Sequence, residues 1–384
     1  MIDRITASFF AVVLLTMACA SLPLALPAVS SASTDANVTA NATPTIAPAG
    51  LQAESLTRIP LHAGYGVRGP WFEIYFSDPA NPSSVQMTGG VESPIVESID
   101  AARLSVHAAI FSITLDNVRE ALVRAHRRGV EVRLVTESDN GDSEDLQRIK
   151  DAGIPVLGDR RQGTMHNKFL VIDRMQVWTG SMNFTFSGAY LDNNTMVRIT
   201  SADLAEAYEA EFAEMFDDDN FGPEAGRPTP KPRVEIEGTL IEVYFAPDDG
   251  VEAALVDLLD TAQDRIDFLA YSFTSNPLGE AVMRAVDAGL AVRGVMDEEQ
   301  GSSNIGTEFT AFRSAGLNVR LDGNPGQMHE KVIIVDETVV VLGSYNFSRN
   351  ANESNDENVL VIHSRLVASQ FLREFERMYA SAQP

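Results

Sequence analysis

"MHNKFLVID" at Met165–Asp173 returns as "MHEKVIIVD" at Met328–Asp336, 163 positions later. After six intervening residues from each Asp the chain reads Gly-Ser-x-Asn, as Gly180, Ser181 and Asn183 and again as Gly343, Ser344 and Asn346. Side chains two apart on a strand share a face. His166 and Lys168 are therefore expected to point the same way, as are Ser181 and Asn183, and likewise His329 with Lys331 and Ser344 with Asn346. The four apolar residues after each Lys predict a strand buried on both faces, with the Gly-Ser segment beside it across a short turn. Each copy would then present an imidazole, an ammonium, a hydroxyl and an amide in one patch. Asp173 and Asp336, five residues past the Lys, fall off that face and are expected to bond backbone or turn.

The likeness extends well beyond the motif. "FEIYFSDP" (Phe72–Pro79) matches "IEVYFAPD" (Ile241–Asp248), and "FSIT" at Phe111 matches "YSFT" at Tyr271. "EALVRAHRRGVEVRLV" from Glu120 matches "EAVMRAVDAGLAVRGV" from Glu280 at an offset of 160, whereas "DAGIPV" matches "SAGLNV" at 163. The second copy has thus gained three residues after Gly301. Short strand-like runs alternate with amphipathic stretches closed by Gly129 or Gly289, which predicts an α/β fold of two duplicated halves, each a sheet flanked by helices. The expected boundaries are residues 58–216 for the first repeat and 239–384 for the second. A linker at 217–238 joins them, and its Pro228, Pro230 and Pro232 exclude a helix interior there.

At 384 residues with a hydrophobic content of 45%, the chain has ample material for two globular units. Its net charge of −25 repels phosphate backbones at long range without excluding a local basic cleft. Lysine occurs only at 150, 168, 231 and 331, so two of the four lie in the repeated motif. Phe9–Leu26 is apolar and is followed by small residues, which predicts an export signal over residues 1–32, with a retained anchor as the competing reading. Residues 33–57, rich in Ala, Thr, Asn and Pro, are expected to be a flexible linker. The product would be secreted or periplasmic, or tethered to a membrane through this segment. Cys19, inside it, is the only cysteine, so no disulfide framework is expected.

Duplicated in this register, the motif resembles that of the phospholipase D superfamily, over nearly all of the chain beyond residue 57. The resemblance implies two mixed sheets packed about a pseudo-two-fold axis with one shared active site, and a phosphodiesterase that works through a phosphohistidine. One histidine attacks phosphorus and the other protonates the leaving oxygen. Lys168, Lys331, Asn183 and Asn346 would surround the phosphoryl oxygens. The resemblance calls for no cofactor, and nothing in the sequence has convincing metal-ligand spacing. Eleven residues beyond each motif Asn the copies differ, with Asn194 after Asn183 and Glu357 after Asn346. On the family pattern Glu357 would orient His166 and Asn194 would orient His329 across the halves. That makes His166 the nucleophile and His329 the general acid and base.

The family divides by substrate. Export and the acidic surface favour a phospholipid head-group phosphodiester, with contact at a membrane surface. Compact halves favour a nuclease acting on nucleic acid. Intact motifs in both copies speak against an inactive phosphate-binding scaffold. A single chain holding both motifs is expected to act as a monomer. Arg160 and Arg161 are candidates for phosphate contact. His107 is read as a strand residue, His126 as solvent-facing, and His62 and His363 as lacking partners. The sequons at Asn183 and Asn346 are read as accidental.

Overall fold

The computed structural model describes residues 56–383; the expected export signal and all of the tether but its last two residues lie outside them. Among the described residues two sheets form. The first is built from β1 (Thr57–Pro60), β2 (Tyr65–Arg68), β3 (Phe72–Phe76), β4 (Ser105–Ile110), β5 (Glu131–Thr136), β6 (Val156–Gly158), β7 (Lys168–Ile172), β8 (Gln176–Gly180) and β9 (Thr195–Thr200). The second contains β10 (Arg233–Ile236), β11 (Thr239–Ala246), β12 (Arg265–Ala270), β13 (Ala291–Met296), β14 (Asn318–Leu321), β15 (Lys331–Val335), β16 (Val339–Gly343) and β17 (Glu357–His363). The orders are β1-β2-β3-β9-β8-β7-β4-β5-β6 and β10-β11-β17-β16-β15-β12-β13-β14. Apart from the extra β1 they are the same order, with β4-β5-β6 and β12-β13-β14 parallel and the remaining pairs antiparallel. Two expected boundaries move. β1 starts at Thr57 within the expected tether, and β10 lies within the expected 217–238 linker, because Val234 buries its side chain in the core and the backbone there pairs with β11.

The helices are α1 (Glu92–Ala101), α2 (Asp116–Arg127), α3 (Glu144–Asp151), α4 (Phe186–Tyr190), α5 (Ala202–Phe216), α6 (Val251–Asp260), α7 (Asn276–Asp287), α8 (Glu298–Ser303), α9 (Phe309–Ser314), α10 (Arg349–Glu353) and α11 (Arg365–Ser381). Local sequence explains their ends. α2 opens on Asp116 and closes on Arg124, His126 and Arg127, which suits the helix dipole, and Gly129 follows with φ of 90°. α7 is capped by Ser275, whose hydroxyl accepts from Leu278 N, and Gly289 closes it with φ of 86°. α1–α3 cover the outer face of the first sheet, and α6, α7 and α9 that of the second. α5 and α11 are packed between the sheets, where Phe169, Tyr208 and Phe212 share one core with Phe245, Phe371 and Phe375. Tyr208 meets Phe245 edge-on at 5.1 Å and Phe76 meets Phe371 at 5.4 Å, so aromatic contacts run from one half into the other.

The motif aspartates close the hairpins β7–β8 and β15–β16. Asp173 and Arg174 (φ 54° and 55°) and Asp336 and Glu337 (φ 50° and 56°) adopt the left-handed conformation of a type I′ turn, which Asp tolerates better than most residues. The Asp173 carboxylate accepts from the backbone N–H groups of Arg103, Leu104 and Ser105 at 2.6–3.1 Å. Asp336 accepts from Gln263, Asp264 and Arg265 at 2.8–3.0 Å, and these bonds hold its carboxyl below the usual range against the upward push of burial. Each carboxylate thus ties a hairpin tip to the entrance of β4 or β12. Asp173→Ala and Asp336→Ala are each expected to cost about 2 kcal/mol of folding stability in urea denaturation. Turnover per folded molecule should hold, and an inactive variant of undiminished stability would contradict this scaffold role.

Candidate active site

β7 starts at Lys168 opposite Ile110, the last residue of β4, and β15 starts at Lys331 opposite Ala270, the last residue of β12. The histidines precede these strands and do not lie on them, which corrects the expectation that they are strand residues, yet each still meets the same aromatic ring as its lysine. They leave the strands because their backbones pair across the molecule. Met165 forms a parallel bridge to Asp356, and Met328 forms one to Asn193. His166 N donates to Asp356 O at 3.0 Å and His329 N donates to Asn193 O at 2.9 Å. The residue after each bridge partner is Glu357 or Asn194. Each histidine therefore sits beside the orienting residue of the opposite half.

His166 Nδ1 lies 2.8 and 2.9 Å from the two carboxylate oxygens of Glu357. His329 Nδ1 lies 2.9 Å from Asn194 Oδ1. Asn194 Nδ2 donates to Gly188 O at 2.9 Å, so its Oδ1 is the atom turned to the ring and His329 Nδ1 carries the hydrogen. Glu357 offers only acceptors when ionised, so His166 Nδ1 is also the donor and both Nε2 atoms remain for chemistry. Ser181 donates to Asn194 Oδ1 at 2.9 Å and Ser344 donates to Glu357 Oε2 at 2.6 Å. The preceding glycines are required by space. A Cβ on Gly180 would lie 2.1 Å from Thr195 O, and one on Gly343 2.1 Å from Asn358 O.

Lys168 Nζ donates to His166 O at 2.7 Å and Lys331 Nζ donates to His329 O at 2.8 Å. The ammonium of Lys168 lies 5.0 Å from the Phe111 ring centre and that of Lys331 lies 4.9 Å from the Tyr271 ring centre. The same rings meet the imidazoles edge-on, at 5.2 Å for His166 and 4.8 Å for His329. Asn183 and Asn346 are half-buried, and the Oδ1 of each is buried without a hydrogen-bond partner among the described residues.

A match to the family model described as "Cardiolipin synthase, PLD-like domain" covers residues 95–216 and 255–379. The chain belongs to the phospholipase D superfamily. Human mitochondrial cardiolipin hydrolase is 38% identical over 136 residues, which cover 35% of this chain and 54% of that protein. A phospholipase D of Rickettsia bellii is 30% identical over 156 residues, covering 38% of this chain and 76% of that one. The chain spans between about half and two thirds of the length of the mitochondrial cardiolipin hydrolases, with 64% of the Xenopus tropicalis protein at the upper end. Phosphatidylserine synthase of Haemophilus influenzae superposes with a TM-score of 0.57 over 81% of this chain and 87% of its own, at 14% identity, which speaks to the fold alone.

Other polar residues of this phospholipase D-like chain have structural partners. Arg161 donates to Ser354 O at 2.6 Å and pairs with Asp356, and Arg160 pairs with Asp219. Arg161 thus braces the bridge between halves and Arg160 forms a surface ion pair, so both carry partners other than the phosphate contact expected of them. His62 bonds Gln86 at 3.0 Å and His363 bonds Glu242 at 2.9 Å, so neither lacks a partner. His107 lies on β4 beside Glu209, and His126 is half-buried at the end of α2, more enclosed than expected. Phe111 and Tyr271 appeared in the sequence only as part of the repeat. Their adjacency to the imidazoles depends on β4 and β12 ending beside the motif strands.

Burial governs the site's electrostatics. It pushes the Lys168 ammonium down to about 7, and it pushes Lys331 well below its usual value with Lys168 adding to the effect. His329 is pushed well below its ordinary range by burial, then by Lys331, Lys168 and His166. His166 also falls through burial, but Glu357 pulls it back. Burial would raise Glu357, yet His166, Lys168 and Ser344 hold its carboxyl below the usual range. These groups are thus short of protons at neutral pH, and an anion placed among them must raise their proton affinity. At pH 8, binding of tungstate, an anion that does not itself titrate there, is expected to take up protons. Calorimetry in buffers of different ionisation enthalpy measures this, and an apparent enthalpy independent of buffer would contradict it.

Proposed function

We propose that the chain is a phospholipase D-type phosphodiesterase that hydrolyses the head-group phosphodiester of a phospholipid through a phosphohistidine on His166. The observation that carries this is the crossed pairing of His166 with Glu357 and of His329 with Asn194. His166 Nε2 attacks phosphorus and forms the P–N bond as the P–O bond to the leaving alcohol breaks. His329, protonated on Nε2 once the substrate anion is bound, gives that proton to the leaving oxygen. Water then attacks the phosphohistidine, His329 takes its proton, and His166 is released. Glu357 stabilises the positive charge that His166 acquires, while Asn194 orients His329 without adding charge. Lys168, Lys331, Asn183 and Asn346 hold the non-bridging oxygens and stabilise the charge of the transition state.

The phospholipid reading is supported by relatives named phospholipase D and mitochondrial cardiolipin hydrolase, by the acidic surface and by the apolar stretch Phe9–Leu26. That stretch supports export to a secreted or periplasmic location, or a tether at the membrane surface where such a substrate lies. Both histidines come from one chain, which supports a monomeric enzyme.

Two experiments test the reading. With His329→Ala and a diester bearing a good leaving group, label should accumulate on His166, mapped by mass spectrometry under alkaline conditions. Label on His329 in a His166→Ala protein, with none on His166 in the reciprocal variant, reverses the assignment. Glu357→Gln keeps the hydrogen bond but removes the charge, and should lower kcat by about 10²–10⁴-fold. On phospholipid vesicles the product should be phosphatidic acid, whereas strand cleavage of DNA without lipid hydrolysis would make the enzyme a nuclease.

A further inference from the structure

The two flanks of the cleft are not alike. Beside His166 stands Phe111, an apolar ring whose backbone carbonyl accepts from Asn140 Nδ2 at 2.7 Å. Beside His329 stands Tyr271, whose hydroxyl belongs to a chain of amides. Gln327 Nε2 approaches that hydroxyl at 3.2 Å and Gln300 Nε2 at 3.4 Å. Gln300 is held in this orientation because its Oε1 accepts from Asn304 Nδ2 at 2.8 Å, and Asn304 Nδ2 also reaches Ser272 Oγ at 3.2 Å. The three extra residues after Gly301 include Asn304, so the insertion in the second copy helps build this wall, where the first copy has a short 3₁₀ turn at Ser138–Asn140. Tyr271, Gln300 and Asn304 are half-buried and Gln327 is exposed, so the wall faces an accessible space.

This inference rests on the roles proposed above for His166 and His329. In an in-line displacement the leaving oxygen lies opposite the entering nitrogen. Attack by His166 therefore places the leaving alcohol against His329 and Tyr271. The Tyr271 oxygen is approached by two N–H donors, so its own O–H is left to donate outward. Burial, with Asp297, Glu299 and Asp192 adding to it, pushes the phenol up to about 12, and it keeps that proton at neutral pH. Of these three carboxylates Glu299 is exposed to solvent and the other two are bonded to backbone. Asp297 accepts from the backbone N–H groups of Gln300 and Met328 at 3.0 Å, and Asp192 accepts from Gln327 N at 3.0 Å. The Tyr271 ring face is taken by the Lys331 ammonium at 4.9 Å, which would repel a second cation.

We infer that the Tyr271–Gln300–Gln327–Asn304 wall is the leaving-group subsite, and that it selects phospholipids whose head group is an uncharged polyol bearing free hydroxyls over those with a quaternary ammonium. Hydroxyls of a glycerol-type head group can accept from the Tyr271 O–H and bond the flanking amides. A choline head group offers no hydroxyl to accept from the Tyr271 O–H and brings a charge beside Lys331.

The test compares phosphatidylglycerol with phosphatidylcholine, each at a small mole fraction in the same neutral detergent micelles, with phosphatidic acid as the measured product. The unaltered protein should favour phosphatidylglycerol in kcat/KM by about tenfold or more, since a site built to bond hydroxyls discriminates against ligands lacking them. Tyr271→Phe, a change that keeps the ring and its packing, should bring the ratio of the two kcat/KM values towards one, and Gln327→Ala should move it part of the way. Equal rates or a choline preference in the unaltered protein overturns the inference, as does a ratio that Tyr271→Phe leaves in place; either result leaves the phospholipase reading standing. Phosphatidic acid from neither lipid, in a preparation that still hydrolyses bis(4-nitrophenyl) phosphate, removes the phospholipid reading and this inference with it.

Discussion

Two short backbone bridges, Met165 to Asp356 and Met328 to Asn193, are what the cleft depends on. In each, the residue ahead of the orienting side chain bonds both neighbours of the bridging methionine: Asp356 accepts from His166 N and donates to Thr164 O, and Asn193 accepts from His329 N and donates to Gln327 O. With them, each imidazole is clamped by the half to which it does not belong. The aromatic core around α5 and α11 holds the sheets at the spacing these bridges need, and the Arg161–Asp356 ion pair reinforces one of them.

The bridges also concentrate charge. Two ammonium groups and two imidazoles are drawn out of water into one place, with a single carboxylate, Glu357, bonded to either imidazole. Such a site is electrostatically incomplete without an anion. The desolvation that depresses the two lysines and two histidines is offset once a phosphodiester supplies the missing negative charge. Burial of like charges is ordinarily a cost to stability, and here it prepares the ground for binding phosphate.

The repeat made much of this legible in advance. Strands at Lys168 and Lys331, helices ending at Gly129 and Gly289, and the duplicated sheets follow from local apolar period and turn chemistry. The difference between Asn194 and Glu357 was visible because the copies could be laid against each other. What local reasoning could not reach was set by long-range pairing. The bonding of the His166 backbone to Asp356, the capture of Arg160 and Arg161 by Asp219 and Asp356, and the pairing of His62 and His363 all involve partners more than 20 residues away. The strand in the Pro-rich linker was hidden for a similar reason, since β10 exists only where β11 offers it an edge. Phe111 and Tyr271 gave a repeat signal but no chemical one, because an aromatic at a strand end reads as core until the neighbouring strand is placed.

Joining two copies in one covalent chain releases them from the rule that governs an assembly of identical subunits, where a change on one side of the axis is a change on both. Positions 194 and 357 have diverged separately, and the insertion after Gly301 thickens one flank alone. The cleft has therefore acquired a direction. A diester laid across it has two arms, and a symmetric site would treat them alike. Here one orientation points an arm at the phenol and amides beside His329, and the reverse orientation points that arm at the bare ring of Phe111.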